Sequence, residues 1–398
     1  VKDYKIFVIN PGSTSTKVAM FKGKEKIYSE NIQHDVSELK AFKEVRDQLD
    51  YRRDMILESV KKSGETLTDV DAFSSRGGGC GTTESGVFTI NETLLDYVTN
   101  RPSVVHPAIL GAPIASALAE KYHAKAFIVN PPEVDEFKDL ARVTGLKGVY
   151  RKSAIHALNQ KEIGLRYAQK VGKNYSDLNL IICHIGGGIS ITAHEKGRMV
   201  DSNDIARGDG PMAPTRCGSL PVRDVVEMCY SGKYSEKEML EKVTKNGGLA
   251  DHLGTSDARE VKERTDAGDA YAALIYDAMI YQIGKEVGAM AAVLHGNVDG
   301  IILTGGISYD TYVVQRLKEM ISFVAPVTVM AGEFEMEALA SGAIRVLSGK
   351  EEAKTFTGIP VWDGFDCLPR LIRFSCLPPE SKGLLTWLLA ITFHTISC

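Results

Sequence analysis

Two stretches of this sequence lie over one another without a gap, and a chain that repeats a folding unit has few architectures open to it. Residues 6–24 match residues 180–198, 174 positions further on. Gly12 falls on Gly186, Ala19 on Ala193, and Lys22-Gly23-Lys24 on Lys196-Gly197-Arg198. Each copy has an apolar run, a polar residue (Asn10 or His184), a turn of small residues, and a second strand-like stretch ending at a Lys-Gly turn. That is a β-hairpin used twice. Chance likeness between two buried strand-turn-strand units is the plainer explanation. The functional one is that two related domains each bring a hairpin to a shared cleft. Turns of Gly, Ser and Thr let backbone N–H groups approach a polyanion as a concave nest, so two of them can grip a chain of phosphates from both sides.

Between and after the repeats, helical and strand patterns alternate, as in α/β domains. Residues 91–98, 108–122 and 152–171 read as helices, and 126–129 as a strand. Apolar spacing predicts a long helix over 269–294, serving the core or a contact between copies of the chain. A strand over 298–303 and a closing helix over 336–348 follow. A chain of 398 residues exceeds what one hydrophobic core serves, roughly 250 to 300 residues. The expected division is one domain over 1–175 and a second over 176–365. Residues 366–398 form an atypical tail, because both tryptophans and three of the seven cysteines lie beyond residue 360.

Net charge is −4 with no long basic run, which gives no electrostatic footprint for nucleic acid or an anionic membrane. The apolar stretch 384–396 is shorter than the roughly 20 residues a membrane span needs. The start of the chain has no signal-peptide pattern, and the cysteines form no CxxC pair. These features predict a cytoplasmic protein with reduced thiols and a small-molecule partner.

Neither GxxxxGK[ST] nor GxGxxG occurs, so a nucleotide would have to bind through the paired hairpins. His184 stands between an apolar strand and Gly186-Gly187-Gly188, at the mouth of the second loop. A hydrogen-bonded structural histidine is the plainer reading, against a functional one. Arg76 and Arg216 each sit among small residues, where a guanidinium has room for a planar anion; the plainer reading of each is a solvated loop arginine.

Taken in order, VINPGSTSTK (8–17), SRGGG (75–79), HPAILGAPIA (106–115), HALNQK (156–161), HIGGGIS (184–190), LGTSDAREV (253–261), AMAAVL (289–294), LTGGIS (303–308) and EMEALASGA (335–343) resemble the butyrate kinases of the acetate kinase family. The resemblance spans about residues 4–355. It implies duplicated actin-like (ribonuclease H-like) ATPase domains facing each other across a nucleotide cleft. It also implies ATP/ADP and Mg²⁺ as cofactors, butyrate or another short-chain carboxylic acid as substrate, and a homo-oligomer. Asn10, Ser13, Ser15 and Lys17 match the family's first phosphate loop, and Gly186, Gly187 and Gly188 the second. Arg76 and Arg216 match the arginines that hold the acceptor carboxylate and the moving phosphoryl group. His184 matches the histidine that stabilises the transition state, and His106 a second active-site histidine. Asp257 and Arg259 match the nucleotide-side pair, Gly305 and Gly306 the loop beneath adenosine, and Glu335, or else Glu333, the glutamate associated with magnesium. At the family's metal-side Asp this chain has Asn130, which supplies no negative charge; Asp135 or Glu133 is the candidate to compensate.

Such an acid kinase needs charge neutralisation and positioning more than a strong base, since a carboxylate is already ionised at neutral pH. Kinases for acetate, propionate or branched acids share these features. An actin-like or chaperone-like ATPase would share the fold but gives no reason for the two arginines, and Asn130 leaves a non-catalytic nucleotide sensor as a third, lesser alternative.

Overall fold

The computed structural model describes residues 2–205 and 207–365, so the expected tail at 366–398 lies outside the described residues. The first half of the chain forms β1 (Lys5–Pro11), β2 (Ser15–Lys22), β3 (Glu25–Gln33), β4 (Ala72–Ser75), β5 (Val87–Thr89) and β6 (Lys125–Val129). The second half forms β7 (Asn179–Ile185), β8 (Ile189–Glu195), β9 (Arg198–Ser202), β10 (Gly300–Thr304) and β11 (Val327–Val329), and β12 (Lys354–Thr355) returns to the first sheet. The sheet orders are β12-β5-β6-β4-β1-β2-β3 and β11-β10-β7-β8-β9.

The repeat seen in the sequence is a repeat of topology. β1 and β7 start and end 174 residues apart, the offset at which the two stretches match. Each opens an antiparallel three-strand meander and takes a parallel strand on its other side, β4 beside β1 and β10 beside β7. Both first strands are covered on both faces, which is why they read as unbroken apolar runs.

Each sheet has helices on both faces. The second packs one face against Ala270–Val293 and Thr311–Ile321. Its other face meets the Ala157–Val171 helix through Ile163, Tyr167 and Ala168. The first sheet packs against Leu49–Ser63 and Gly111–Tyr122 on one face. On the other lies Glu335–Leu347, whose Ala338, Leu339 and Ala343 cover Ile6, Val8 and Val129.

Packing therefore crosses the expected boundary at 175/176 in both directions. The 157–171 helix precedes the boundary yet covers the second sheet, while the 335–347 helix and β12 follow it yet complete the first. These two helices meet between the sheets, where Ser341 Oγ donates to Glu162 Oε2 at 2.7 Å. The first of them also begins later than the expected 152. Residues 153 and 154 are committed to loop contacts, with Ser153 Oγ donating to Val134 O and Ala154 O accepting from Ile205 N.

At the end of β10 the backbone of Gly305 is left-handed, with φ +88°. A Cβ there would lie 2.4 Å from the carbonyl oxygen of Ile185, which is backbone and cannot swing away. Gly305→Ala is expected to lower stability by about 2 kcal/mol or more. Gly306→Ala meets nothing within 4 Å and should stay close to wild type. Urea denaturation of both variants checks the contrast; equal midpoints would remove the backbone clash as the reason for Gly305.

Candidate active site

A cleft of about 820 Å³ opens at the carboxyl ends of β1 and β7, lined by the loops that follow both strands. From the first hairpin come Asn10, Ser15 and Lys17, and from the second His184, Gly187 and Gly188. Arg76, His106, Arg216, Glu333 and Glu335 complete the set that the sequence pointed to.

The first loop is held from behind by Arg52, a fully buried residue of the Leu49–Ser63 helix. Its guanidinium donates to Gly12 O at 2.9 Å, Ser13 O at 3.1 Å, Ser15 O at 3.3 Å, Thr16 Oγ1 at 3.1 Å and Gln48 Oε1 at 3.0 Å. Three carbonyls of the turn are thus drawn inward. Burial lowers the Arg52 pKa to about 10, and the surrounding oxygen dipoles supply the compensation. Nothing in the sequence marked this residue, because an arginine on an amphipathic helix normally faces water.

The second loop leans on Arg216, whose Nη1 donates to Gly187 O at 2.9 Å. A Cβ on Gly188 would sit 2.4 Å from that same nitrogen, so the small residue makes room for the guanidinium. Arg76, at the end of β4, lies 3.6 Å from Glu335 Oε1, and Asn10 Nδ2 donates to Glu335 Oε2 at 2.8 Å. Burial pushes the Glu335 carboxyl up, but Arg76, the Asn10 hydrogen bond, His184 and Lys17 outweigh it and hold the group below its usual range. Glu333 is exposed on the same rim.

Two imidazoles stack beside this cluster. The rings of His156 and His184 have centroids 3.8 Å apart at 18°. Burial lowers His184 to about 4, Arg76 adding to the effect and Glu335 opposing it. Burial likewise holds His156 well below its ordinary value, with His184, Arg76 and Arg216 adding to it. His184 Nδ1 lies 2.9 Å from Asn159 Oδ1 and donates to it, which leaves Nε2 turned toward the second loop. His106 Nδ1 accepts from Ala108 N at 3.1 Å, so its proton sits on Nε2. His156 lay within a motif of the sequence but received no role there. Its signal was its position, immediately before a helix whose first turns are all buried.

Other expected residues stand outside the cleft lining. Ser13 is exposed at the loop tip, and Gly186 is buried beneath the second loop. Asp257 caps the Ala258–Asp266 helix and pairs with the exposed Arg259 at 2.7 Å. Gly305 and Gly306 follow the end of β10, one strand over from His184. Asn130, expected on the metal side, is buried and stands outside the cleft lining. Its Oδ1 accepts from Gly86 N at 2.7 Å, and its backbone is left-handed at φ 38°, a conformation Asn tolerates better than most residues. Asp135 cannot stand in, because both its oxygens take 2.7 Å bonds from the buried Arg142. Glu133 does line the cleft, with Oε1 accepting from Gly79 N at 2.6 Å.

Two similar sheets thus bring two loops, two arginines and three histidines to one cleft, the equipment of an enzyme that handles small anions. Among solved structures the chain resembles an acetate kinase from Porphyromonas gingivalis (TM-score 0.72, 20% identity, covering 86% of this chain and 100% of that one). It also resembles a propionate kinase from Francisella tularensis (TM-score 0.66, 18% identity, covering 84% and 98%). The Acetokinase family model matches residues 136–344. Butyrate kinase 2 of Clostridium acetobutylicum is 43% identical over 353 residues, covering 89% of this chain and 99% of the relative. The chain belongs to the acetokinase family and is a carboxylate kinase that uses ATP. No helix among the described residues is long and apolar enough to cross a membrane.

Arg52→Met would leave the inward carbonyls of the first loop without their donor, at roughly 1–3 kcal/mol for each buried group left unpaired. The variant is expected to lose about 3 kcal/mol of stability and to bind ATP at least tenfold more weakly. Urea unfolding and a nucleotide titration measure the two effects; unchanged ATP affinity in a folded variant would mean that Arg52 does not shape the loop.

Proposed function

We propose that this cleft transfers the γ-phosphoryl group of ATP in line to a short-chain carboxylate, with butyrate the best-matched acid, giving an acyl phosphate and ADP. The reverse reaction makes ATP. The observation that carries this reading is two incompletely neutralised guanidinium groups beside an apolar wall. Among the described residues the Arg76 guanidinium has only a 3.6 Å contact with Glu335, and the Arg216 guanidinium donates to Gly187 O and Thr215 Oγ1 alone. Val104, Ala108, Ile155 and Ile205 line the same cleft and suit a short hydrocarbon tail. The similarity to a butyrate kinase supports the same acid.

In this reading the two loops and Lys17 hold the phosphates, and the arginines align the acid against the γ-phosphorus. The acid arrives ionised, so no group has to take its proton. His184 has its Nδ1 proton committed to Asn159, so the stacked His156 is the imidazole that donates toward the moving phosphoryl oxygens. Asp257, Arg259, Gly305 and Gly306 serve the adenosine side. Magnesium, when bound with the nucleotide, neutralises charge on the phosphates. The oxygen donors of Glu335 and Glu333 fit such a hard cation, which needs only one or two carboxylates besides phosphate and water.

Hydroxamate trapping of the acyl phosphate, run with acetate, propionate, butyrate, isobutyrate and valerate, tests the proposal. Two further buried methylenes at about 0.8 kcal/mol each favour butyrate over acetate by roughly fifteenfold in kcat/KM. Propionate, isobutyrate and valerate should also be used, since an apolar pocket discriminates weakly against one methylene. An optimum at acetate with a steep fall for longer acids would overturn the butyrate reading. Arg216→Ala is expected to lower kcat by about 10²–10³ while the protein stays folded; near-normal turnover would remove Arg216 from the chemistry.

A further inference from the structure

A line of buried polar side chains starts at His156 on the cleft and runs behind it to Tyr175. His156 Nδ1 lies 2.9 Å from Ser190 Oγ. Ser190 Oγ lies 3.1 Å from Gln160 Nε2, and Gln160 Oε1 lies 3.0 Å from His194 Nε2. His194 Nδ1 is bonded to Tyr175 Oη. Ser190, Gln160 and His194 are all fully buried, where an unpaired polar atom costs roughly 1–3 kcal/mol.

The direction of every bond in this line follows from one amide. Gln160 Nε2 is 3.3 Å from two backbone oxygens, Ile182 O and Ser190 O, which only accept. The nitrogen end of the amide must therefore face them, and Oε1 must face His194. His194 then carries its proton on Nε2. Burial, with Lys161 adding to it, keeps that ring neutral, so its bare Nδ1 accepts from the Tyr175 hydroxyl. On the other side Gln160 donates to Ser190 Oγ. The serine proton has one acceptor left, His156 Nδ1; were His156 to donate there instead, the buried hydroxyl proton would have no partner.

We propose that Gln160 and Ser190 are positioning residues that hold His156 as the tautomer protonated on Nε2, so that an uncharged imidazole presents an N–H donor to the cleft. A neutral donor suits a site already crowded with cations, where a charged ring near Arg76 and Arg216 would be repelled. The tautomer stands on the hydrogen-bond geometry alone; its effect on rate rests on the phosphoryl-transfer reading above.

The two are separable in one experiment on the full chain labelled with ¹⁵N-histidine. Two-bond ¹H–¹⁵N correlation spectra distinguish the tautomers, and the His156 signal is assigned by its loss in His156→Gln. At pH 7 the wild type is expected to show the proton on Nε2; a proton on Nδ1, or on both nitrogens, overturns the proposal. Gln160→Glu keeps the shape and the acceptor for His194 but offers Ser190 no N–H. The serine hydroxyl should then turn to the carboxylate and accept from His156 Nδ1–H. The tautomer is expected to reverse, and kcat to fall about a hundredfold with KM for ATP within about twofold. An unchanged tautomer in the folded variant refutes the positioning role. A reversed tautomer with unchanged kcat refutes His156 as the donor and counts against the proposed mechanism, not against the relay. If Gln160→Glu does not fold, the wild-type spectrum decides.

Discussion

The first hairpin loop has its shape because a cation sits behind it. Arg52 is buried without a carboxylate partner among its bonds, a position that would be prohibitive for a bare charge. Five oxygen acceptors offset that cost, three of them loop carbonyls, and the loop can supply them only by turning those carbonyls inward. The charge also acts at a distance: after burial and Arg76, Arg52 is a further cause of the lowered pKa of His106. A cleft that must take a polyanion is thus biased toward it before any ligand arrives.

Positive charge in the cleft comes from guanidinium groups and Lys17, whereas the imidazoles are kept neutral. Burial is the first cause of the lowered pKa at His106, His156 and His184 alike. The sign of the linkage follows. A histidine whose folded pKa lies below its unfolded value contributes stability that is present above the unfolded pKa and lost as pH falls. For His184 that loss runs from about 6.5 down through about 4. Acid therefore works against both the fold and the donor geometry, because it adds protons to rings whose hydrogen bonds are arranged for the neutral form.

The parts of the fold that could be read from the sequence were those where one residue type has one physical outcome. Strands covered on both faces must be continuous apolar runs, so β1 and β7 and their 174-residue offset were visible. Arg76 and Arg216 stood out because each sits among small residues, where a guanidinium has room for a planar anion. Arg52 was hidden although it shares the buried face with Ile56 and Val60, because a charge in an apolar stripe does not say what it meets, and only tertiary contact sets it against a loop. Asn130 has local contacts that the sequence does not display. The resemblance placed it at a metal-side position, and only the fold shows its left-handed backbone and its bond from the Gly86 amide. The crossing of the lobe boundary was invisible because the apolar stripe of 335–347 says that one face is buried, and not which sheet covers it.

That crossing bears on the cleft. The helices Ala157–Val171 and Glu335–Leu347 pack against each other between the sheets, and each carries a cleft residue at its amino end: His156 caps the first, and Glu335 begins the second. A carboxylate in the first turn of a helix is favoured by the helix dipole, which suits Glu335 to remain ionised between Asn10 and Arg76. The duplicated sheets supply a loop apiece, and the two exchanged helices supply an acid and an imidazole at a common level. Because each helix is seated on one sheet and touches the other helix, a shift of one lobe against the other moves Glu335 relative to His156. The spacing between Glu335 and His156 is therefore set by the contact between these helices, and not by either sheet alone.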